Sequence, residues 1–181
     1  MRNHRDLAEE REERGSSLGG GEAGPCGRHH DVVTEIERLA VLGSMGDPDI
    51  RNLVGRCECR TVAYTVPDEF LYAMNCHCSN CRAATGSAFK AFAGIEREKL
   101  EVTDGADSLL VFGEAQENHT RCAVCGSLLF SVVREGAYVH VALGSLVDEP
   151  TLTPTKHIFV GSKAPWFEIT DDLPQFEEYG A

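Results

Sequence analysis

Three tight groups of cysteine constrain this chain more than any other feature. Cys57-Glu58-Cys59 is a C-x-C pair, Cys76-His77-Cys78-Ser79-Asn80-Cys81 is C-x-C-x-x-C, and Cys122-Ala123-Val124-Cys125 is C-x-x-C. Sulfurs two or three residues apart on a tight turn can converge on one ion, and Gly126 supplies the turn residue after the last pair. Zinc takes four tetrahedral ligands and its softness favours thiolate. Seven clustered cysteines do not divide into two closed four-sulfur sites. They divide into four and three. The natural partition joins the two duplets, Cys57, Cys59, Cys122 and Cys125, into one closed structural site that clips distant segments together. Cys76, Cys78 and Cys81 then form a three-sulfur site with one open position, the arrangement of a catalytic zinc. Two other readings stay open here: structural zinc alone, with His77 or a distant residue completing the second site, and a disulfide framework.

The rest of the composition locates these clusters in the chain. Every aromatic residue lies at or after Tyr64, and the first 48 residues carry Gly-Ser-rich stretches such as SSLGGGEAG, which cannot hold a packed structure. Residues 1–50 therefore read as an N-terminal extension and 51–181 as the folded domain. Within the extension, Val32, Ile36 and Leu39 form one helical stripe. With Asp31 as N-cap and Gly43 as stop, they predict a short helix over 31–42. Cys26 is a spare cysteine in this segment. No apolar run approaches the ~20 residues that span a bilayer, and the polar, acidic N-terminus lacks a secretory or transit signal. These features predict a cytoplasmic protein with reduced thiols and no membrane partner. The net charge is −12. Residues 1–48 hold six basic against ten acidic residues, and the remainder eleven against nineteen. Neither part has the basic footprint of a nucleic-acid binder, and an anionic ligand needs a local basic anchor.

From Leu53 the pattern is short strands and turns. Thr61–Val66, Leu71–Asn75, Ala88–Ala93, Leu109–Gly113, Leu128–Val133, Tyr138–Leu143 and His157–Val160 read as strands, and Arg134–Ala137 as a hairpin connection. The fold class is mainly β: a small zinc-stapled domain of antiparallel strands and hairpins with a flexible or partly helical N-terminal extension.

The residues Gly55-Arg56-Cys57-Glu58-Cys59, Cys76-His77-Cys78-x-x-Cys81-Arg82 with Thr85-Gly86-Ser87, Cys122-x-x-Cys125-Gly126-Ser127 and Lys163-Ala164-Pro165-Trp166-Phe167 resemble the glutathione-dependent formaldehyde-activating enzyme family, which shares a domain with centromere protein V. The resemblance runs from about Leu53 to Glu178. It implies a β-rich fold with two zinc ions per chain, one closed by four cysteines and one held by three. It also implies glutathione and formaldehyde as partners, and a carbon–sulfur lyase activity giving S-hydroxymethylglutathione. Three positions depart from the family's usual pattern. Arg60 stands where a Gly is common, Ala83 where a second Arg follows the cysteine, and Arg121 where an aromatic precedes the last pair.

On this reading Cys76, Cys78 and Cys81 are the catalytic candidates. A thiol sulfur bound at their open position is held as thiolate, and it attacks the formaldehyde carbon. Ser79, Thr85 and Ser87 are nearby donors for the developing oxyanion. Arg82 is the candidate anchor for glutathione carboxylates. His157 matches a histidine common in the family and is a candidate for the ligand pocket. His140, in a strand, reads as satisfied by local hydrogen bonds. Trp166 and Phe167 are core packing or a pocket wall. The alternative to an enzyme is a non-catalytic, zinc-dependent thiol-binding or interaction module. A helix over 31–42 also admits a homo-oligomer.

Overall fold

The computed structural model describes residues 50–179. The helix expected over 31–42 and Cys26 lie outside the described residues. The mainly β expectation holds: there are ten strands and one α-helix among the described residues.

Strands β1 (Asn52–Arg56), β2 (Ala63–Pro67) and β5 (Glu101–Asp104) form a three-stranded sheet in the order β1-β2-β5. Strand β1 alternates exposed and buried residues and β2 half-buried and buried ones, as strands covered on one face do. Gly55 faces Tyr64 in this pairing. A Cβ at Gly55 would overlap the Tyr64 ring, so the ring lies flat on the bare glycine.

The second sheet has seven strands. They are β3 (Tyr72–Cys76), β4 (Lys90–Glu96), β6 (Leu109–Gly113), β7 (Asn118–Cys122), β8 (Leu128–Val133), β9 (Tyr138–Ala142) and the short β10 (His157–Ile158). Their order is β10-β3-β4-β9-β8-β7-β6, antiparallel except where β10 joins β3. The hairpin expected over 134–137 joins β8 to β9, with Arg134, Glu135 and Gly136 all at positive φ. The helix α1 (Ser79–Thr85) follows β3.

Side chains alternate faces along a strand, and the two faces of the large sheet differ in chemistry. One face puts Ala93, Ile95, Leu129, Val139 and Val141 against Leu53, Val62, Tyr64 and Val66 of the small sheet, forming the main core. Tyr64 anchors it: its hydroxyl meets Ser145 Oγ at 2.7 Å, and its ring sets edge-on to Phe130. The other face carries Tyr72, Cys76, Lys90, Phe92, Ser131 and His140, which share that face by register. This second face is aromatic and polar, and it holds the chemistry. No helix among the described residues is long and apolar enough to cross a membrane.

Candidate metal centres and the cleft beside them

The seven described cysteines are all unbonded to one another, which sets aside the disulfide reading for them. The structure gathers them into two groups, Cys57, Cys59, Cys122 and Cys125, and Cys76, Cys78 and Cys81. In each group the sulfurs lie within 4.8 Å of one another. Four sulfurs at about 2.3 Å from a tetrahedral zinc stand about 3.8 Å apart. The measured Cys57–Cys59 and Cys59–Cys122 separations of 3.5 and 3.7 Å fit that spacing. Both clusters could hold a metal ion.

The four-sulfur group is built from two turns. After β1, Cys57 N–H donates to Val62 O and Val62 N–H donates to Cys57 Sγ at 3.2 Å, closing a loop over Cys59. Arg60 sits in this loop at φ 64, a left-handed position that glycine takes without strain. After β7, Cys122 N–H donates to Ser127 O and Gly126 N–H to Cys122 O, with Gly126 at φ 76. Cys57 and Cys122 are buried, whereas Cys59 and Cys125 are exposed. The cluster thus joins a turn of the small sheet to a turn of the large one.

The three-sulfur group lies on the second face. Cys76 ends β3 and is buried; Cys78 and Cys81 are half-buried at the start of α1. This helix was not legible as a hydrophobic stripe, because it buries no residue. Its start is capped by cysteine itself: Cys78 Sγ accepts from Cys81 N–H at 3.4 Å. Gly86, at φ 62, ends it by donating to Arg82 O. The hydrogen bond from Cys76, followed by the nearby Lys90 charge, holds Cys81 down to about 6, against the desolvation that opposes it. The same contact with Cys81, then burial, pushes Cys76 strongly up. Thiols this crowded ionise together only when a cation compensates them, and that is the chemistry of a metal donor set.

His77 and His157, which flank this cluster, are both fully buried. His157 Nε2 lies 3.0 and 3.1 Å from the two Asp171 carboxylate oxygens, and His157 Nδ1 lies 2.8 Å from His77 Nε2. A carboxylate only accepts, so His157 donates to Asp171. In the neutral ring its Nδ1 then accepts from His77 Nε2–H. This leaves His77 Nδ1 without a hydrogen-bond partner. Burial, then the neighbouring His157 and Lys163, lowers His77 to about 4. Phe89 and Phe167 pack against the His77 ring. His157, 2% exposed, therefore links the exposed Asp171 carboxylate to the buried His77 of the cysteine turn.

A wide cleft of about 1290 Å³ is lined among others by Arg56, Arg60, Thr85, Ser87, Lys90 and Arg121; it reaches Cys57 and Cys125 of the four-cysteine group, whereas none of Cys76, Cys78 and Cys81 lines it. Trp166, 72% exposed, stands on its wall with Phe167. Arg121 Nη1 donates to Gly126 O at 3.0 Å, and its other terminal nitrogen donates to Ala84 O. It thus ties the turn of one cluster to the helix of the other. Arg82 Nε donates to His77 O at 3.2 Å, and Arg82 is not among the cleft's lining residues. Thr85 Oγ1 donates to Cys81 O at 2.8 Å and lies 3.0 Å from Ser87 Oγ, while Ser79 is exposed. His140 is satisfied by a hydrogen bond within the sheet, as expected: Tyr72 Oη lies 2.9 Å from its Nε2, and Phe92 stacks on its ring at 4.1 Å.

Lys90 escaped the sequence reading. It lies at 3% exposure, with Nζ donating to Ser131 Oγ at 2.7 Å. Ser131 Oγ in turn lies 2.7 Å from His119 Nδ1. Burial lowers Lys90 to about 8, against the pull of the three cysteines. The available signal was a lysine two residues from Ala88 and Phe92, on the same buried side of a strand.

The fold and its two cysteine clusters define a mainly β domain with two groups of sulfurs, each of which could hold a metal ion. The glutathione-dependent formaldehyde-activating enzyme family matches residues 52–162, and the chain belongs to that family. Among solved structures, a crystal structure of a Rhodobacter sphaeroides protein is 28% identical, with a TM-score of 0.45, covering 54% of this chain and 91% of that one. The search of curated proteins gave no match.

Proposed function

We propose that the three-cysteine cluster binds a glutathione-like thiol and promotes its addition to formaldehyde, giving S-hydroxymethylglutathione, a carbon–sulfur lyase activity. The observation that carries this reading is the convergence of three sulfurs, with no fourth ligand grouped with them among the described residues, next to Thr85 and Lys90, which line a basic cleft in an otherwise acidic chain. The proposed metal content is two zinc ions, one at each cluster. Zinc held by Cys76, Cys78 and Cys81 would take the thiol sulfur as a further ligand and keep it ionised at neutral pH.

The chain's own residues do the rest. Cys76, Cys78 and Cys81 are the ligands, and α1 sets the last two by capping on Cys78. Arg60 and Arg56 on the cleft wall face an anionic ligand, and Arg60 is free of side-chain hydrogen bonds to the described residues. Arg82 serves by holding the His77 carbonyl, and His157 by fixing the His77 ring behind the cysteine turn. The thiolate attacks the formaldehyde carbon. A C–S bond forms, the carbonyl pair moves to oxygen, and the alkoxide takes a proton to give the hemithioacetal. Thr85 and Ser87 offer hydroxyls on the cleft wall for that oxygen. Thiols add to formaldehyde unaided, so positioning is the main contribution.

The test compares hemithioacetal formation by wild type and Cys78→Ser at matched zinc content. Serine keeps the helix cap and loses the thiolate. The expected result is a rate above buffer for wild type alone. Equal rates in wild type, variant and buffer would leave the non-catalytic thiol-binding module as the reading.

A further inference from the structure

Lys90 is a buried cation for which no carboxylate partner exists among the described residues. Its one hydrogen-bond partner, Ser131, is neutral. Burying an ammonium costs several kcal/mol unless an anion compensates it. The groups placed to supply that anion are the three cysteines: Lys90 is the cross-strand partner of Cys76 in the β3–β4 ladder, and the sulfurs of Cys78 and Cys81 lie within 4.8 Å of that of Cys76. Among the described residues, the polar groups near Lys90 on its side of the sheet, Ser131, His119, His140 and Arg121, are neutral or cationic, and the carboxylate that shares this face of β4, Glu96, stands six residues along the strand and pairs with Lys99.

The charge balance explains the placement. Three thiolates with a divalent ion carry −1, and one ammonium brings the buried unit to zero. A fourth thiolate returns it to −1 rather than −2. The four-cysteine cluster has no such lysine, but two of its sulfurs are exposed, and water screens them.

We propose that Lys90 is the built-in counter-cation of the three-cysteine centre, a positioning residue that acts through the thiolates and sets how tightly that centre takes a metal and a further anionic thiol. This rests on reading the cluster as a metal site that binds a thiol. Lys90 does not touch the reacting atoms in this account. It places one positive charge against the cluster.

The test compares the wild-type full chain with three variants, Lys90→Met, Lys90→Gln and Lys90→Arg. Zinc affinity is read by competition with a chromophoric chelator, and glutathione binding by calorimetry on zinc-loaded protein. Lys90→Met should fold at least as stably without metal, since it removes a buried charge. It should nonetheless lose about 10–100-fold in affinity for the second zinc, the range seen when groups behind metal ligands are removed. Glutathione should weaken alongside. Lys90→Gln keeps a partner for Ser131 and loses the charge, so it should lose as much. It also carries the test if Met does not fold. Lys90→Arg keeps the charge and should recover most of both affinities.

Two results overturn the proposal: Met and Gln variants within twofold of wild type for both ligands, or an Arg variant as weak as Met. A wild-type chain that takes up one zinc, or no glutathione, overturns the underlying reading of the site together with this inference. A wild type that binds both, with all variants equal to it, overturns the inference alone.

Discussion

The sulfur of Cys59 lies 3.7 Å from that of Cys122, although 63 residues separate them. One follows β1 of the small sheet and the other ends β7 of the large sheet, so a metal shared between them ties the sheets directly. The free energy of such a site is folding free energy, about 10–16 kcal/mol in small zinc domains, against a total stability of about 5–15 kcal/mol for a domain. Cys122→Ser should therefore abolish the cooperative thermal transition. Cys78→Ser, which keeps its cap and leaves the two sheets joined, should shift the midpoint by only a few degrees. Calorimetry of the two variants checks this, and similar losses would contradict it.

The main core depends on Tyr64 in two ways. Its hydroxyl bonds Ser145, which also donates within its own turn, and its ring occupies the space above Gly55. Tyr64→Phe should cost about 1–2 kcal/mol, by removing a buried hydrogen bond. Gly55→Ala should cost more, about 2–3 kcal/mol, because the ring cannot withdraw from a filled core. Urea denaturation gives both values, and a Gly55→Ala chain as stable as wild type would refute the packing argument.

Arg60 combines strain with exposure. At φ 64 a non-glycine residue costs roughly 1 kcal/mol. Arg60→Gly should raise stability by up to about that amount and weaken glutathione binding by removing a cationic wall of the cleft. Chemical denaturation and calorimetry together should show opposite signs. A variant that gains stability with unchanged glutathione affinity would remove Arg60 from the ligand's anchors.

His140 predicts an acid limb. Burial first, then the charges of Lys90 and Arg134, lowers it to about 3, whereas an unfolded histidine titrates near ~6.5. Between those values the unfolded chain binds a proton that the folded chain does not, so stability falls as pH drops from about 6.5 toward 3. The contribution is full above this window and changes by at most about 1.4 kcal/mol per pH unit within it. His140→Gln should flatten the profile by up to that slope relative to wild type. Parallel profiles would contradict the assignment.

Much of this architecture was legible because local pattern and tertiary fold agree. Leu109–Gly113 and Leu128–Val133 are strands over the expected residues, and Tyr138–Ala142 falls one residue short of its expected end. The division of the cysteines followed from counting and spacing alone. Strand β7 was not legible, because its buried residues Asn118, Thr120 and Cys122 are not hydrophobic on average; hydrogen bonds rather than apolar alternation hold it. Strand β1 hides its alternation behind Asn52, Gly55 and Arg56. Helix α1 is a capped turn with no buried stripe. The polar chemistry of the second face was least legible, because each pair is distant in sequence. His77 meets His157 across 80 residues and Lys90 meets Ser131 across 41. A buried polar residue announces its partner only after folding.

The central claim is that Cys76, Cys78 and Cys81 leave one metal position for an external thiol. Cobalt(II) substituted for the native metal reports each added thiolate as sulfur-to-metal charge-transfer absorbance. Titration with glutathione should raise that absorbance saturably, by one thiolate per chain, in wild type and not in Cys78→Ser. A wild-type spectrum that glutathione leaves unchanged would contradict the account.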